Sequence, residues 1–163
     1  MTDSEVLFSF VEETVANGGS IKIKIAGYSM YPLVTSRRDS VLLTKAQKIK
    51  KGDVPLIKRD DGTFVLHRVV KIKENGEYIM CGDNQFLLEK GITDKNIIGI
   101  ASGFLIDGKE IDVKTNEQYL KHKEKYISNI TTHRHSHDFL EIVYILMMRS
   151  VSQFGVAYAS GAS

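Results

Sequence analysis

The sequence predicts a mainly β protein, α+β overall, in which a β-rich domain is flanked by helices. Residues 20–114 contain short apolar runs, several with a period of two, separated by Asn-Gly and Asp-Gly turn signals typical of antiparallel hairpins. Residues before and after this region instead show helical spacing of apolar side chains. We therefore divide the chain into an N-terminal helix that packs on the domain (1–19), a β-rich domain (20–114) and a helical C-terminal appendage (115–163).

The composition is that of an ordinary globular protein. The 163 residues are 42% hydrophobic and 26% charged, with a formal net charge of +2. This suits one compact domain with its own core, and no basic surface of the kind that binds nucleic acid is predicted. Cys81 is the only cysteine, so no internal disulfide can form. The acidic N-terminus does not resemble a secretory signal, and we expect a cytoplasmic protein, with membrane association as an alternative.

The N-terminal helix is predicted from apolar side chains that recur on one helical face before a Gly-Gly stop. These side chains are Val6, Leu7, Phe10, Val11 and Val15. We expect this whole face to pack on the domain.

The β domain is predicted from seven apolar runs. They lie at 21–25, 40–44, 54–59, 63–73, 77–81, 97–106 and 109–113. Asn75-Gly76 predicts a two-residue hairpin loop, which by reflection about the turn pairs position 67 with roughly position 84. Asp107-Gly108 predicts a second hairpin.

The C-terminal appendage is expected to contain a polar helix over 116–129 and a second helix from about Asp138. The amphipathic second helix suits peripheral contact with a membrane or a transporter partner. His133, His135 and His137 alternate in sequence, so zinc ligation is one interpretation of this segment. A polar linker between helices is the preferred one, and we predict no metal and no cofactor.

Three residues carry the chemistry that the sequence suggests. Ser29 follows a strand and a glycine, His67 lies in the longest predicted strand, and Asp83 follows the next strand of the hairpin. A serine hydroxyl needs a base to take its proton, and an imidazole with a pKa of about 6.5 suits that task. A carboxylate then fixes the imidazole tautomer. The predicted hairpin brings His67 close to Asp83, whereas spacing alone does not place Ser29 beside them.

Four motifs resemble those of the serine peptidases of the signal peptidase I and LexA-like superfamily. They are Gly-Tyr-Ser-Met-Tyr-Pro at 27–32, Gly-Asp-Val at 52–54, Leu-His-Arg-Val-Val at 66–70 and Cys-Gly-Asp-Asn at 81–84. The resemblance covers roughly residues 20–114 and implies a LexA/signal-peptidase-like β domain. His67-Arg68 is most similar to the Ser-His branch of archaeal and endoplasmic reticulum signal peptidases.

The resemblance implies a role for each matched residue. Ser29 is the implied nucleophile, His67 the general base and Asp83 the acid of the Gly-Asp-Asn motif. Glu89 or Asp94 lies where this branch has a further acidic residue, so the acid that orients His67 is left open.

Two further properties are implied in the same way. Gly27 stands where some members have a hydroxyl, so the backbone N–H of Ser29 is expected to hold the oxyanion. Members of this superfamily cleave after small side chains, so the implied substrate is a peptide or preprotein leader with Ala, Gly or Ser before the cut.

The sequence thus predicts a soluble, signal-peptidase-like serine endopeptidase that works through an acyl-enzyme. The alternative is a catalytically inactive module of the same fold that binds an extended peptide by strand addition. A LexA-like regulator ranks last, since the residues before the first strand are too few for a DNA-binding helix-turn-helix. Cys81, a hairpin neighbour of His67, is a rival nucleophile, but buried filler is its preferred interpretation.

Overall fold

The computed structural model of the protein describes residues 3–132, which form a mainly antiparallel β structure with two helices. The elements are α1 (Asp3–Ala16), β1 (Ile21–Lys24), β2 (Ser40–Thr44), β3 (Pro55–Lys58), β4 (Phe64–Leu66), β5 (Arg68–Ile72), β6 (Tyr78–Cys81), β7 (Glu89–Ile92), a short 3-10 helix (Asp94–Asn96), β8 (Ile97–Ile106), β9 (Lys109–Asp112) and α2 (Glu117–Thr132). The predicted mainly β, α+β class is confirmed. The predictions for a helix from Asp138 and for the three alternating histidines lie outside the described residues.

Strand β8 organises the larger sheet. It pairs with β2 along one edge, while β3 and β9 pair with its first and second halves along the other. Strand β1 extends this sheet beyond β2, and β4 extends it beyond β3. Strands β5, β6 and β7 form a separate three-stranded sheet.

The two predicted hairpins differ in how closely they follow the sequence signal. Between β8 and β9 the loop is the predicted Asp107-Gly108 pair, with φ of 48° and 76°, as the left-handed positions of a type I′ turn require. Between β5 and β6 the loop has three residues, because the N–H of Lys73 bonds the carbonyl of Glu77 at 2.9 Å and Gly76 takes φ 82°. The predicted two-residue loop is therefore wrong.

The register of the β5–β6 hairpin shifts as a result. A β-bulge after Val69 moves it further, so Arg68 lies opposite Cys81. The reflection that pairs position 67 with position 84 therefore does not hold.

Helix α1 packs through a different face from the predicted one. Val11 and Val15 are fully buried, and the ring of Phe8 stacks on Phe64 with 3.9 Å between the ring centroids. Spacings of three and four residues put these side chains on one side of the helix. Val6, Leu7 and Phe10 are 52%, 47% and 59% exposed, so the prediction of a single buried face is wrong for these three.

Two apolar clusters form the core. One packs α1 and the start of α2 against the larger sheet and includes Val11, Leu43, Phe104 and Tyr119. The other lies around the smaller sheet and includes Ile57, Val69 and Met80. The described residues up to Ile127 belong to one compact unit, so most of α2 is part of the same unit as the strands.

The packing of α1 can be tested with a matched pair of substitutions. Val11→Ala removes two methyl groups from a fully buried site and should lower the free energy of unfolding by about 2 kcal/mol. Phe10→Ala removes a larger but exposed side chain and should change it by less than about 0.5 kcal/mol. Urea denaturation followed by circular dichroism measures both; a larger loss for Phe10→Ala than for Val11→Ala would contradict this packing.

Candidate active site

Ser29 lies in a turn of the loop that follows β1. Its neighbour Met30 is 2% exposed and anchors the loop in the core, together with Val34, whose N–H bonds the Met30 carbonyl at 3.2 Å. The Ser29 carbonyl accepts a hydrogen bond from the N–H of Asn84 at 2.8 Å. The core therefore anchors the serine loop through Met30, and the Cys-Gly-Asp-Asn segment binds the backbone of Ser29.

Asp39 fixes the far end of the same loop. Its fully buried carboxylate accepts hydrogen bonds from the backbone N–H of Thr35 at 2.6 Å and from that of Asp107 at 3.0 Å. Nε of Arg38 also donates to it at 2.8 Å, and this hydrogen bond, helped by the two from the backbone, lowers the pKa of Asp39 to about 2. The carboxylate therefore stays ionised at neutral pH and closes the loop that carries Ser29.

The contact between the serine loop and the Cys-Gly-Asp-Asn segment requires a glycine. A Cβ atom placed on Gly82 would lie 2.5 Å from the carbonyl oxygen of Ser29 and 2.9 Å from its Cβ. Neither distance is compatible with van der Waals radii. Gly82 thus allows the backbone of Ser29 to approach at close range.

His67 lies between β4 and β5 and is bound by an acid from β7. Its Nδ1 is 2.8 Å from Oε2 of Glu89, and the two side chains are only 5% and 14% exposed. An ionised carboxylate can only accept hydrogen bonds, so Nδ1 carries the proton and Nε2 is left as the basic nitrogen. The second partner of Glu89 is Arg59, whose Nε and Nη2 donate to its two oxygens.

The environment favours a neutral His67 beside an ionised Glu89. Burial lowers the pKa of His67 below its ordinary value, and the hydrogen bond with Glu89 opposes this only in part. Burial alone would raise the pKa of Glu89, but hydrogen bonds from Arg59 and His67 bring it below its ordinary value. His67 is therefore in the protonation state that a general base needs at neutral pH.

Asp83 does not bind His67. Its carboxylate accepts hydrogen bonds from Nε and Nη2 of Arg68 at 2.8 and 2.7 Å, and from Nε2 of His122 at 2.9 Å. Burial alone would raise the pKa of Asp83, but these partners lower it below its ordinary value. The expected contact between Asp83 and His67 is therefore absent, and Asp83 pairs with Arg68 and His122 instead.

Arg68 is enclosed by groups from three directions. Its Nη1 donates to the carbonyl of Gly52 at 2.9 Å, and its guanidinium lies 5.7 and 5.6 Å from the ring centroids of Tyr119 and Tyr126. Helix α2 supplies both rings, and the hydroxyl of Tyr126 also donates to the carbonyl of Gly82 at 2.9 Å. Helix α2 therefore supports the segment on which Ser29 rests.

The topology brings Ser29 and His67 to one part of the molecule. Ser29 lies against Gly82, and His67 directly precedes Arg68, which is opposite Cys81 in the hairpin. Among the hydrogen bonds of residues 3–132, none joins the Ser29 hydroxyl to the His67 ring, and none engages the backbone N–H of Ser29.

The remaining candidate residues have other contacts. Asp94 accepts a hydrogen bond from the hydroxyl of Tyr78 at 2.6 Å. Cys81 is fully buried, and its Sγ lies 3.1 Å from the carbonyl oxygen of Gln85. A buried thiol of this kind is not poised as a nucleophile.

Sequence reasoning missed Arg59, His122 and Tyr126. No local pattern marks Arg59, which lies 30 residues from Glu89. A signal did exist in α2, where Tyr119, His122 and Tyr126 are spaced by three and four residues and so share one helical face.

No protein-family model matches the chain, and no curated protein sequence matches it. Within residues 3–132, neither helix combines the length and apolar character needed to cross a membrane. Over the same range, no cluster of three or more His, Cys, Asp or Glu side chains is arranged to hold a metal ion. The chemistry of the site therefore has to follow from its own geometry.

The role of Asp83 predicts a large effect on stability. Asp83→Asn should lower the free energy of unfolding by about 3–5 kcal/mol, because it leaves the buried charge of Arg68 without its counter-charge. Asp60→Asn, at an exposed carboxylate on a turn, is the matched control and should have little effect. Because the pKa of Asp83 is lowered in the folded protein, the difference between wild type and Asp83→Asn should be full above about pH 4 and shrink below it. Urea denaturation at several pH values measures this difference. Equal stability of wild type and Asp83→Asn at pH 7 would contradict the prediction.

Proposed function

We propose that this protein is a serine endopeptidase with the LexA/signal-peptidase-like β fold, and that it cleaves a peptide or leader segment after a small residue. The observation that carries the proposal is the 2.8 Å contact between Nδ1 of His67 and Glu89, which leaves Nε2 basic close to the segment that seats Ser29. A serine nucleophile needs a neutral, oriented imidazole as its base, and His67 offers one next to Arg68, which lies opposite Cys81 in the hairpin, one residue before the glycine that contacts Ser29.

The proposed reaction has two stages. In the first, Oγ of Ser29 attacks the substrate carbonyl carbon while Nε2 of His67 takes the hydroxyl proton, and the imidazolium then gives that proton to the leaving amine. In the second, water attacks the acyl-enzyme with His67 again as the base, which releases the new carboxylate and restores Ser29. The backbone N–H of Ser29 stabilises the oxyanion in both stages.

The acid of the proposed triad is Glu89. Its contact with Nδ1 keeps His67 in the required tautomer and stabilises the imidazolium that forms during each stage. Asp83 instead stabilises the fold of the site through Arg68. The hydroxyl of Ser29 has to come within hydrogen-bond reach of His67 when a substrate is bound, as is common for catalytic pairs that are loose without ligand.

The surroundings of Ser29 support a peptide as the substrate. Tyr28 and Tyr31 flank the serine and are 71% and 50% exposed. Exposed aromatic rings at these two positions of the serine loop offer apolar contacts to the residues of an extended chain.

The second candidate function is an inactive peptide-binding module of the same fold. The observation that favours it is the absence, within residues 3–132, of a hydrogen bond between Ser29 and His67. Such a module would retain affinity for peptides but form no acyl-enzyme.

Covalent labelling separates the two functions. A fluorophosphonate probe should label the wild-type protein on Ser29, and Ser29→Ala should abolish labelling. His67→Ala should slow it at least about 100-fold, because the hydroxyl loses its base. Ser102→Ala is the matched control, since this hydroxyl only contacts the carbonyl of Leu42 at 3.3 Å. Internally quenched peptides with Ala, Gly or Ser before the cut provide the turnover assay. Equal turnover by wild type and all three variants would exclude the proposed peptidase. Peptide binding without product would favour the inactive module.

The pH dependence follows from the lowered pKa of His67. The base must be neutral, so kcat/KM should rise with pH through an acid limb whose midpoint lies below the ordinary histidine value of about 6.5. Glu89→Gln should move this midpoint further down, because Glu89 raises the pKa of His67, and should reduce kcat about 100- to 10,000-fold. A midpoint above 7 in the wild-type protein, measured with the same peptides, would contradict the assignment of His67 as a buried base.

A further inference from the structure

Glu89 is held by a cation as well as by the histidine. Arg59 donates from Nε to Oε1 of Glu89 and from Nη2 to Oε2 at 3.2 Å, and this same Oε2 lies 2.8 Å from Nδ1 of His67. Contact through both guanidinium nitrogens fixes the plane of the carboxylate as well as its position. Arg59 therefore determines how Oε2 of Glu89 is oriented toward the imidazole of His67.

The turn between β3 and β4 holds the backbone of Arg59 in place. The N–H of Arg59 donates to the carbonyl of Thr63 at 2.8 Å, and the N–H of Gly62 donates back to the carbonyl of Arg59 at 2.9 Å. The side chain of Asp61 accepts hydrogen bonds from the N–H and the hydroxyl of Thr63 at 2.9 and 2.7 Å. The guanidinium thus extends from a closed turn rather than from a free loop.

The charges that face His67 come from three elements. Glu89 on β7 and Asp83 in the β6–β7 segment favour the protonated ring, whereas Arg59 in the β3–β4 turn disfavours it. Asp83 is already paired with Arg68 and His122. Arg59 is therefore the cation that offsets the effect of Glu89 on the base.

We propose that Arg59 is a positioning residue, which acts through Glu89 to hold His67 in the orientation and the neutral state that proton transfer requires. The proposal rests on the function proposed above, but the contact it describes can be tested without any turnover. Glu89 alone would orient the imidazole and also favour its protonation. The guanidinium of Arg59 keeps the carboxylate of Glu89 oriented toward the imidazole and disfavours the protonation of His67. Arg59 and Glu89 together therefore keep His67 both oriented and neutral.

The first test is a titration of His67 followed by NMR of the imidazole Cε1–H. Arg59→Met should raise the midpoint of His67 by about 0.5–1 pH unit, a shift kept small by screening because the Arg59 side chain is 37% exposed. Lys58→Met is the matched control, since it removes the neighbouring cation, which pairs with Glu12 at the surface. A midpoint in Arg59→Met that equals that of Lys58→Met and wild type would overturn the proposal, whether or not the protein is a peptidase.

The second test uses Arg59→Lys, which keeps the charge but loses the planar fork. This variant should titrate within about 0.3 pH unit of wild type, while its Nδ1–H proton should exchange faster with water because the carboxylate is less fixed. This variant tests the positioning role even if Arg59→Met fails to fold. If the Nδ1–H proton of His67 exchanges in Arg59→Lys at the same rate as in wild type, the positioning role of Arg59 is overturned.

Kinetics then link the contact to the proposed reaction. Arg59→Met should reduce kcat about 10- to 100-fold with little change in KM, and should move the acid limb of kcat/KM upward, opposite to Glu89→Gln. Arg59→Met could raise the midpoint of His67 as expected while the wild-type protein shows no peptidase activity. That result would refute the proposed function and leave the role of Arg59 toward His67 intact. An unchanged kcat in Arg59→Met, together with an active wild type, would refute a role in the reaction.

Discussion

The structure depends on the ion pair between Arg68 and Asp83. Both side chains are fully shielded from solvent, and buried charges of this kind are tolerated only when their hydrogen-bonding groups are satisfied. Here Asp83, the Gly52 carbonyl and the rings of α2 complete the surroundings of the guanidinium. Because Arg68 follows His67 and Asp83 follows the glycine that contacts Ser29, this pair joins the two halves of the candidate site.

The two carboxylates near the site have separate tasks. Asp83 pairs with Arg68, and Glu89 binds His67 and Arg59. His67 and Arg68 are consecutive in the chain, yet each contacts a different carboxylate, Glu89 at the start of β7 and Asp83 in the segment between β6 and β7.

Local patterns predicted most of the fold and part of the site. The Asp107-Gly108 turn was predictable because its two left-handed residues are a local requirement. The β5–β6 register was not, because a bulge after Val69 leaves no clear mark in the sequence. The face of α1 was misassigned because its apolar residues outnumber those the core can accept, and only tertiary packing selects Val11 and Val15. The link between Arg59 and Glu89 joins residues too far apart in the chain for any spacing rule to detect.

The Asp107-Gly108 hairpin has a consequence for protein engineering. Exposed hairpin tips with small or polar residues are the usual choice for inserting tags or foreign loops, and this tip is exposed. Its first residue, however, donates its backbone N–H to Asp39, the carboxylate that closes the loop bearing Ser29. An insertion there would withdraw a donor from that carboxylate. The Asn75-Gly76 tip, which forms no hydrogen bond with the serine loop among the described residues, is therefore the better place for a fusion.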